Sequence, residues 1–358
     1  MKIKLALLDK DSNYLNRIVT MFNVRYADKI EVYSFTDLAA ALHTISSSTI
    51  DVLLASESFE IEEKTLPQYC ALAYFVESPS IETLRGKPAI CKFQKLDLIF
   101  KGILSIYAET SSRSAKFRLD DNASRTVLFA SAGGGVGSST IAAACAVALA
   151  RQNRRVLFLN LERFGDASSF FAGDGAFTLS DVIYAIKGHK ANVSLKLESS
   201  VKQDASGVYF FAAPEVALDV MDLTVEDIQR LINELRISGL YDDILVTSDF
   251  DFSEKSLLLW KEATKVVMIS DGSEVCNVKF DRMYKALQII EQQDKTLRVD
   301  KMQVLYNKFS NKTSKTIAGL PLVALGGIPR FEHATTPQVI EQVSRMEIAN
   351  KIVSEKEQ

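Results

Sequence analysis

This 358-residue chain is poor in several kinds of residue, and each shortage removes a class of protein. It holds 16 glycines and 7 prolines, about half the usual share, so collagen-like, low-complexity and largely disordered readings are excluded. Its four cysteines (Cys70, Cys91, Cys145, Cys276) and three histidines (His43, His189, His333) are scattered, and no pair has metal-ligand spacing. Zinc chemistry and Ser-His or Cys-His nucleophile systems therefore lack support, and so few cysteines read as reduced thiols of a cytosolic protein. Neither sign of charge prevails. The 42 Lys and Arg face 45 Asp and Glu, a net charge of −3, which gives no global electrostatic reason to expect nucleic-acid binding. The longest clean apolar run, Ile141 to Ala150, is far short of the roughly 18 residues of a spanning helix. The opening MKIKLALLDK has too short an apolar run for a signal peptide.

What is present fits a globular protein of two domains: 47% of residues are hydrophobic and 24% charged. Strands are expected at 3–8, 30–35, 51–55, 70–76 and 89–93. Helices are expected from about Asn13, at 36–45 with Thr36 as N-cap, and at 97–107. The segment 57–64 reads as an acidic exposed loop or short helix. Residues 109–125, rich in Ser, Arg and Asp without apolar period, read as a linker. A second series then begins, with strands at 126–131, 156–161, 208–212, 243–247, 266–270 and 302–307. Its helices include 138–152 and 277–293, and Thr178/Asp181 and Thr224/Asp227 have capping-box spacing. The expected domains are 1–108 and 126–358, each an α/β doubly wound parallel sheet covered on both faces.

The most informative segment is Ser131-Ala-Gly-Gly-Gly-Val-Gly-Ser-Ser-Thr140, between a strand and a helix of small residues. Glycines let the backbone wrap an anion so that its N–H groups converge on phosphate oxygens. The helix that follows adds the positive end of its dipole. Gly133, Gly134, Gly135, Val136, Gly137, Ser138, Ser139 and Thr140 are thus candidate phosphate-binding residues, with the Ser139 hydroxyl as a Mg²⁺ ligand.

This stretch resembles the deviant Walker A motif of the MinD/ParA ATPases, Lys-Gly-Gly-x-Gly-Lys-[Ser/Thr]-Thr. Aligned on its glycines, the family's signature lysine falls on Gly133 and its second lysine on Ser138, so both are absent. Residues 155–166 (RVLFLNLERFGD) resemble the family's second strand and switch segment, with Asn160 and Glu162 at its acidic positions. Their Phe-Gly-Asp ending is similar to the TadZ/CpaE branch, which localises pilus assembly. Residues 241–249 (YDDILVTSD) resemble the Walker B strand, with Thr247 at the expected aspartate and Asp249 two positions on. The segments 305–308 and 327–330 resemble the adenine side. The resemblance implies that Asn307 bonds the base and backbone near Pro329 closes over it. It also implies that Asn160, Glu162, Thr247 and Asp249 stand near the metal.

The first domain extends this likeness. Asp9 and Asp11 resemble the acidic pocket of a receiver domain, but the phosphoacceptor position is Ser56, which cannot form an acyl phosphate. The receiver lysine falls on Lys92 or Lys95. The resemblance therefore implies ATP and Mg²⁺ as ligands, a homodimer with nucleotide at its interface, and other Tad pilus assembly proteins as partners. No nucleic acid and no direct membrane anchor are expected. The implied location is the cytoplasm, at a cell pole or the inner face of the membrane. Hydrolysis is expected to be slow or absent. Glu162 and Asp249 are the candidates to orient water, and Arg163 the candidate substitute cation. The competing readings are an active positional ATPase cycling on membrane or DNA, a P-loop scaffold that binds nothing, and a receiver-regulated transcription factor. The last lacks a helix-turn-helix pair.

Overall fold

The computed structural model describes residues 2–67, 69–110, 124–188 and 193–353. Most of the expected linker, and His189, lie outside them. The chain divides into two compact units, Met1–Lys116 with Gly188–Ser200, and Phe117–Lys187 with Val201–Gln358.

The first unit is built on β1 (Ile3–Leu8), β2 (Ile30–Phe35), β3 (Val52–Ser56), β4 (Ala71–Val76), β5 (Thr83–Leu84) and β6 (Lys87–Cys91), in the spatial order β2-β1-β3-β4-β6-β5. The pairings are parallel except β5 with β6. That hairpin was not foreseen. Its turn is Arg85-Gly86, both at positive φ (53° and 74°), which suits the right-handed strand twist. Helices Ser12–Arg25 and Leu38–Ser47 follow β1 and β2 as expected. The second is capped not by Thr36 but by Asp37, whose carboxylate accepts from the Ala40 amide at 2.9 Å; an ionised acceptor is the stronger cap. Between β3 and β4 the only helical turn among the described residues is the short 3₁₀ segment Glu63–Thr65. Helix Leu96–Thr110 closes the unit.

Helix Val193–Ser200, late in the sequence, packs on that closing helix. Lys196 is only 6% exposed and donates from Nζ to Ser105 Oγ at 2.7 Å, while Glu198 pairs with Lys29. Sequence reasoning grouped this helix with its neighbours in the chain; nothing local marks a helix that packs across so long a separation.

The second unit holds β7 (Arg125–Ala130), β8 (Val156–Asn160), β9 (Lys202–Gln203), β10 (Tyr209–Phe210), β11 (Asp243–Thr247), β12 (Lys265–Ser270), β13 (Met302–Phe309) and β14 (Val323–Pro329). The sheet runs β14-β13-β12-β7-β11-β8-β10-β9, parallel except for β9 with β10. The sheets are thus mostly parallel rather than purely so. The run 141–149 is the middle of helix Ser138–Ala150, buried on every face, which is why its apolar pattern has no period. Its small side chains let helices Thr336–Ser344 and Glu347–Val353 approach it closely. Trp260 is fully buried, with its indole N–H donating to the Arg298 carbonyl at 3.0 Å. The free cysteines Cys70, Cys91, Cys145 and Cys276 are all buried.

In register, Thr247 at the end of β11 lies opposite Phe129 of β7 and Asn160 of β8. The loops leaving these three central strands therefore emerge at one edge of the sheet, where open α/β folds bind ligands.

Candidate functional site

Those loops enclose a cavity of about 390 Å³, lined by residues 131–139 together with Glu162, Arg163, Ser248, Asp249 and Phe250. Helix Ser138–Ala150 starts beneath it without a side-chain cap. In contrast, Asp11, Thr224, Ser253 and Ser273 each cap a helix of their own. Among the described residues, none of the amides from Gly133 to Thr140 has a hydrogen-bond acceptor. A helix start left so bare awaits water or a ligand.

The loop's carbonyls, by comparison, are held. Asn307 Nδ2 donates to the Val136 carbonyl at 2.7 Å, and Lys308 Nζ to the Gly135 carbonyl at 2.7 Å. Gly137 adopts φ +91°, and a Cβ there would lie 2.6 Å from Asn307 Nδ2. Only glycine fits both the backbone and the brace. Lys308 ends the 305–308 segment singled out by resemblance, but nothing in that segment assigns it a contact with the loop.

Ser139 Oγ donates to Glu162 Oε1 at 2.5 Å, and the buried Ser138 Oγ has no partner. The Glu162 carboxyl is held above its ordinary range chiefly by burial. The Asp249 carboxylate pushes it further, while Ser139 and Thr247 oppose the rise. The Glu162 amide donates to Asn160 Oδ1 at 2.9 Å. Gly165 explains the Phe-Gly-Asp ending, because a Cβ there would fall 2.1 Å from Asn160 Oδ1. Arg163 lines the cavity, but its guanidinium reaches Asp249 at 3.4 Å and Asp251 at 3.2 Å, and its amide donates to Asp249 at 2.9 Å. It is already engaged as a countercharge.

The structure thus brings residues 133–139 together with Glu162, Arg163 and Asp249, with Thr247 fully buried at the end of its strand. Thr140 sits in the first helical turn, away from the cavity lining. Asn307 is committed to the loop, and Pro329 lines a separate cavity of about 450 Å³ with Tyr306, Phe309, Gly326 and Gly327.

In the first unit, Asp9 is 3% exposed. Its carboxylate meets Lys92 Nζ at 2.6 Å and accepts from the Asp11 amide at 2.8 Å. Lys92 also lies 4.3 Å from the centre of the Tyr14 ring, a favourable cation–π placement. Asp11 caps its helix, accepting from the amides of Asn13 and Tyr14 at 2.9 and 3.0 Å, and the Tyr14 bond above all holds its carboxyl below the usual range. Ser56, at the end of β3, accepts from the Ser58 hydroxyl at 3.2 Å. Among the described residues, no group of three or more His, Cys, Asp or Glu is placed to hold a metal ion.

Residues 1–108 match the family model described as "TadZ-like, receiver domain". The protein begins with a TadZ-like receiver domain. The rest is similar to a ParA family ATPase from Chlorobium tepidum TLS, at 20% identity and a TM-score of 0.52, covering 65% of this chain and 97% of that one. That likeness shows the ParA-type fold. Weaker structural matches include the MinC:MinD cell division complex of Aquifex aeolicus (16% identity, TM-score 0.49, 66% and 98% covered). Another is the septum site-determining protein MinD with Mg-ADP from Pyrococcus horikoshii OT3 (17%, 0.48, 62% and 94%). No curated protein matches the sequence significantly. The architecture is therefore a TadZ-like receiver domain followed by a ParA-type fold.

Proposed function

We propose that this chain is an ATP-binding scaffold that dimerises around nucleotide and serves Tad (Flp) pilus assembly, turning ATP over slowly or not at all. The observation that carries the nucleotide reading is the row of unpaired amides from Gly133 to Thr140 at a bare helix start, opening on a cavity of about 390 Å³. The unpartnered Ser138 hydroxyl adds a donor for phosphate. Magnesium fits the same place. Ser139 Oγ is the hydroxyl ligand, and a cation offsets both the burial that chiefly lifts the Glu162 carboxyl and the repulsion from Asp249 that adds to it.

Affinity survives the missing lysines in this reading. Each lost charge-assisted hydrogen bond costs about 1.5–3 kcal/mol, and the amides, the helix dipole and Mg²⁺ remain. Turnover does not survive as well. A cation delivered to the transition state is worth about 10³–10⁵ in kcat, the loop carries none, and Arg163 is engaged by Asp249 and Asp251. ATP then acts mainly as a structural ligand. Dimerisation is supported by apolar side chains left exposed near the cavity: Phe164 is 85% exposed beside Arg163, and Val275 and Val278 stand on the helix that approaches Gly133. The pilus assignment rests on the TadZ-like receiver domain. Among the described residues no helix is long and apolar enough to cross a membrane.

The test is titration of the purified protein with Mg·ATP, read by calorimetry and by sedimentation, in the native sequence and in Ser139→Ala combined with Gly135→Val. Gly135 has φ +76°, so valine there strains the loop directly. Unchanged affinity and unchanged dimer formation would eliminate the nucleotide-switch reading.

A further inference from the structure

Resting on that reading, we propose that Lys279 stands in for the side chain which the loop lacks at Gly133 in binding only, holding the terminal phosphate of a bound nucleoside triphosphate without speeding its transfer. Three observations lead there. First, the space a side chain at 133 would enter is bordered by two residues of helix Glu274–Gln293. A Cβ at Gly133 would lie 3.6 Å from Cys276 Sγ and 4.0 Å from Lys279 Cδ. The stem of Lys279 therefore runs alongside the place where a residue-133 side chain would start, with two bonds still to go to its ammonium nitrogen.

Second, Lys279 is exposed and has no hydrogen-bond or ion-pair partner among the described residues. The other cations around the loop are occupied. Arg163 is held by Asp249 and Asp251, and Lys308 by the Gly135 carbonyl. Third, Cys276 fixes the geometry. It is buried at the base of the same helix, with Ser270 Oγ donating to its sulfur at 3.3 Å, and Ser273 caps that helix. Lys279 thus projects from a capped helix whose base is anchored in the core, so its Cα is fixed beside the loop. A lysine carried on this neighbouring helix passes the point from which a loop lysine would start, and leaves the loop free to be all small residues.

A cation at the terminal phosphate strengthens triphosphate binding and leaves diphosphate binding nearly untouched. Calorimetry with Mg·ATP and Mg·ADP on the full chain reads this directly. Lys279→Gln is expected to weaken ATP about tenfold or more and to change ADP less than about threefold, with an unchanged melting temperature because the position is an exposed helix face. Gly133→Lys in the Lys279→Gln background is expected to restore ATP affinity, since the backbone there is open to a side chain. If the native chain binds ATP while Lys279→Gln binds it equally well, or loses ATP and ADP alike, or is not rescued by Gly133→Lys, the role of Lys279 is overturned and the nucleotide reading stands. If the native chain binds neither nucleotide, the nucleotide reading itself falls, and this one with it.

Discussion

The receiver pocket and the glycine-rich loop at 131–140 each lack a residue on which their resemblance is built, and the protein treats the two gaps differently. In the receiver domain Ser56 stands at the acceptor position, and Lys92 is bound to Asp9 at 2.6 Å while Asp11 serves as a helix cap. Every charge there is matched from within the domain. Around residues 133–140 both loop lysines are missing, yet the amides and the Ser138 hydroxyl stay unmatched, and the Glu162 carboxyl, hydrogen-bonded to Ser139, has no cationic partner among the described residues to offset its burial and Asp249. Loss of a functional residue is thus followed by internal neutralisation in one place and by a standing demand for anion and cation in the other. A pocket that has satisfied itself reads as a fixed surface; one that has not reads as a ligand site.

The sharpest way to break this contrast is Lys92→Met. It leaves the nearly buried Asp9 without its countercharge, and loss of one partner of a buried pair costs about 3–5 kcal/mol. Urea unfolding should show that loss, and Asp9→Asn with Lys92→Met should recover much of it. If Lys92→Met is as stable as the native chain, the receiver pocket is not neutralised in the way described.

Gly137→Ala attacks the other side. A left-handed backbone penalty and a displaced buried amide at Asn307 together cost about 2–4 kcal/mol, and nucleotide binding should disappear with the loop's shape. Retention of ATP affinity would show that the Asn307 brace is dispensable. Ser139→Ala is milder. Losing the hydrogen bond to Glu162 should cost about 1 kcal/mol of stability, while ATP affinity drops about tenfold in magnesium and not at all in its absence, as calorimetry with and without EDTA would reveal.

The smallest effects concern pH and have opposite signs in the two regions. Glu162 is raised in the folded state, so the fold binds its proton more tightly than the unfolded chain does. Its stabilising contribution is present in acid and fades as pH climbs from the ordinary carboxylate range through its raised value. Relative to Glu162→Gln, the native chain should therefore lose stability over that interval. Asp11 is lowered, so its contribution is present at neutral pH and is lost as pH falls through its depressed value. Relative to Asp11→Asn, the native chain should lose stability toward acid. Thermal melts from pH 3 to 8 would read both slopes; parallel slopes would contradict the contrast.

Local pattern alone made most of the strands legible, because buried parallel strands are short unbroken apolar runs. It also exposed the glycine-rich loop at 131–140, whose glycines and hydroxyls are consecutive. It missed the β5–β6 hairpin, whose strand β5 is two residues long, and it placed the cap of the second helix one residue early, because Thr36 and Asp37 both satisfy the local rule and only the hydrogen bond chooses. Arg163 was legible as a nearby cation, but its engagement by Asp249 and Asp251 was not. Lys308 lay inside the 305–308 segment but without an assigned role, and Lys279 was invisible, since a lone lysine on a helix face has no spacing to betray it.

The sequence by itself determined the two α/β series, the loop of small residues and the absence of its lysines, because periodicity, glycine clusters and residue identity are properties of neighbouring positions. Only the tertiary structure decided which charges meet. It set Lys92 on Asp9, Arg163 on Asp249, Asn307 and Lys308 on the loop's carbonyls, and Lys279 beside Gly133. Such pairings join residues tens to well over a hundred positions apart, and hydrogen bonds and ion pairs act over a few ångströms of space whatever the distance along the chain.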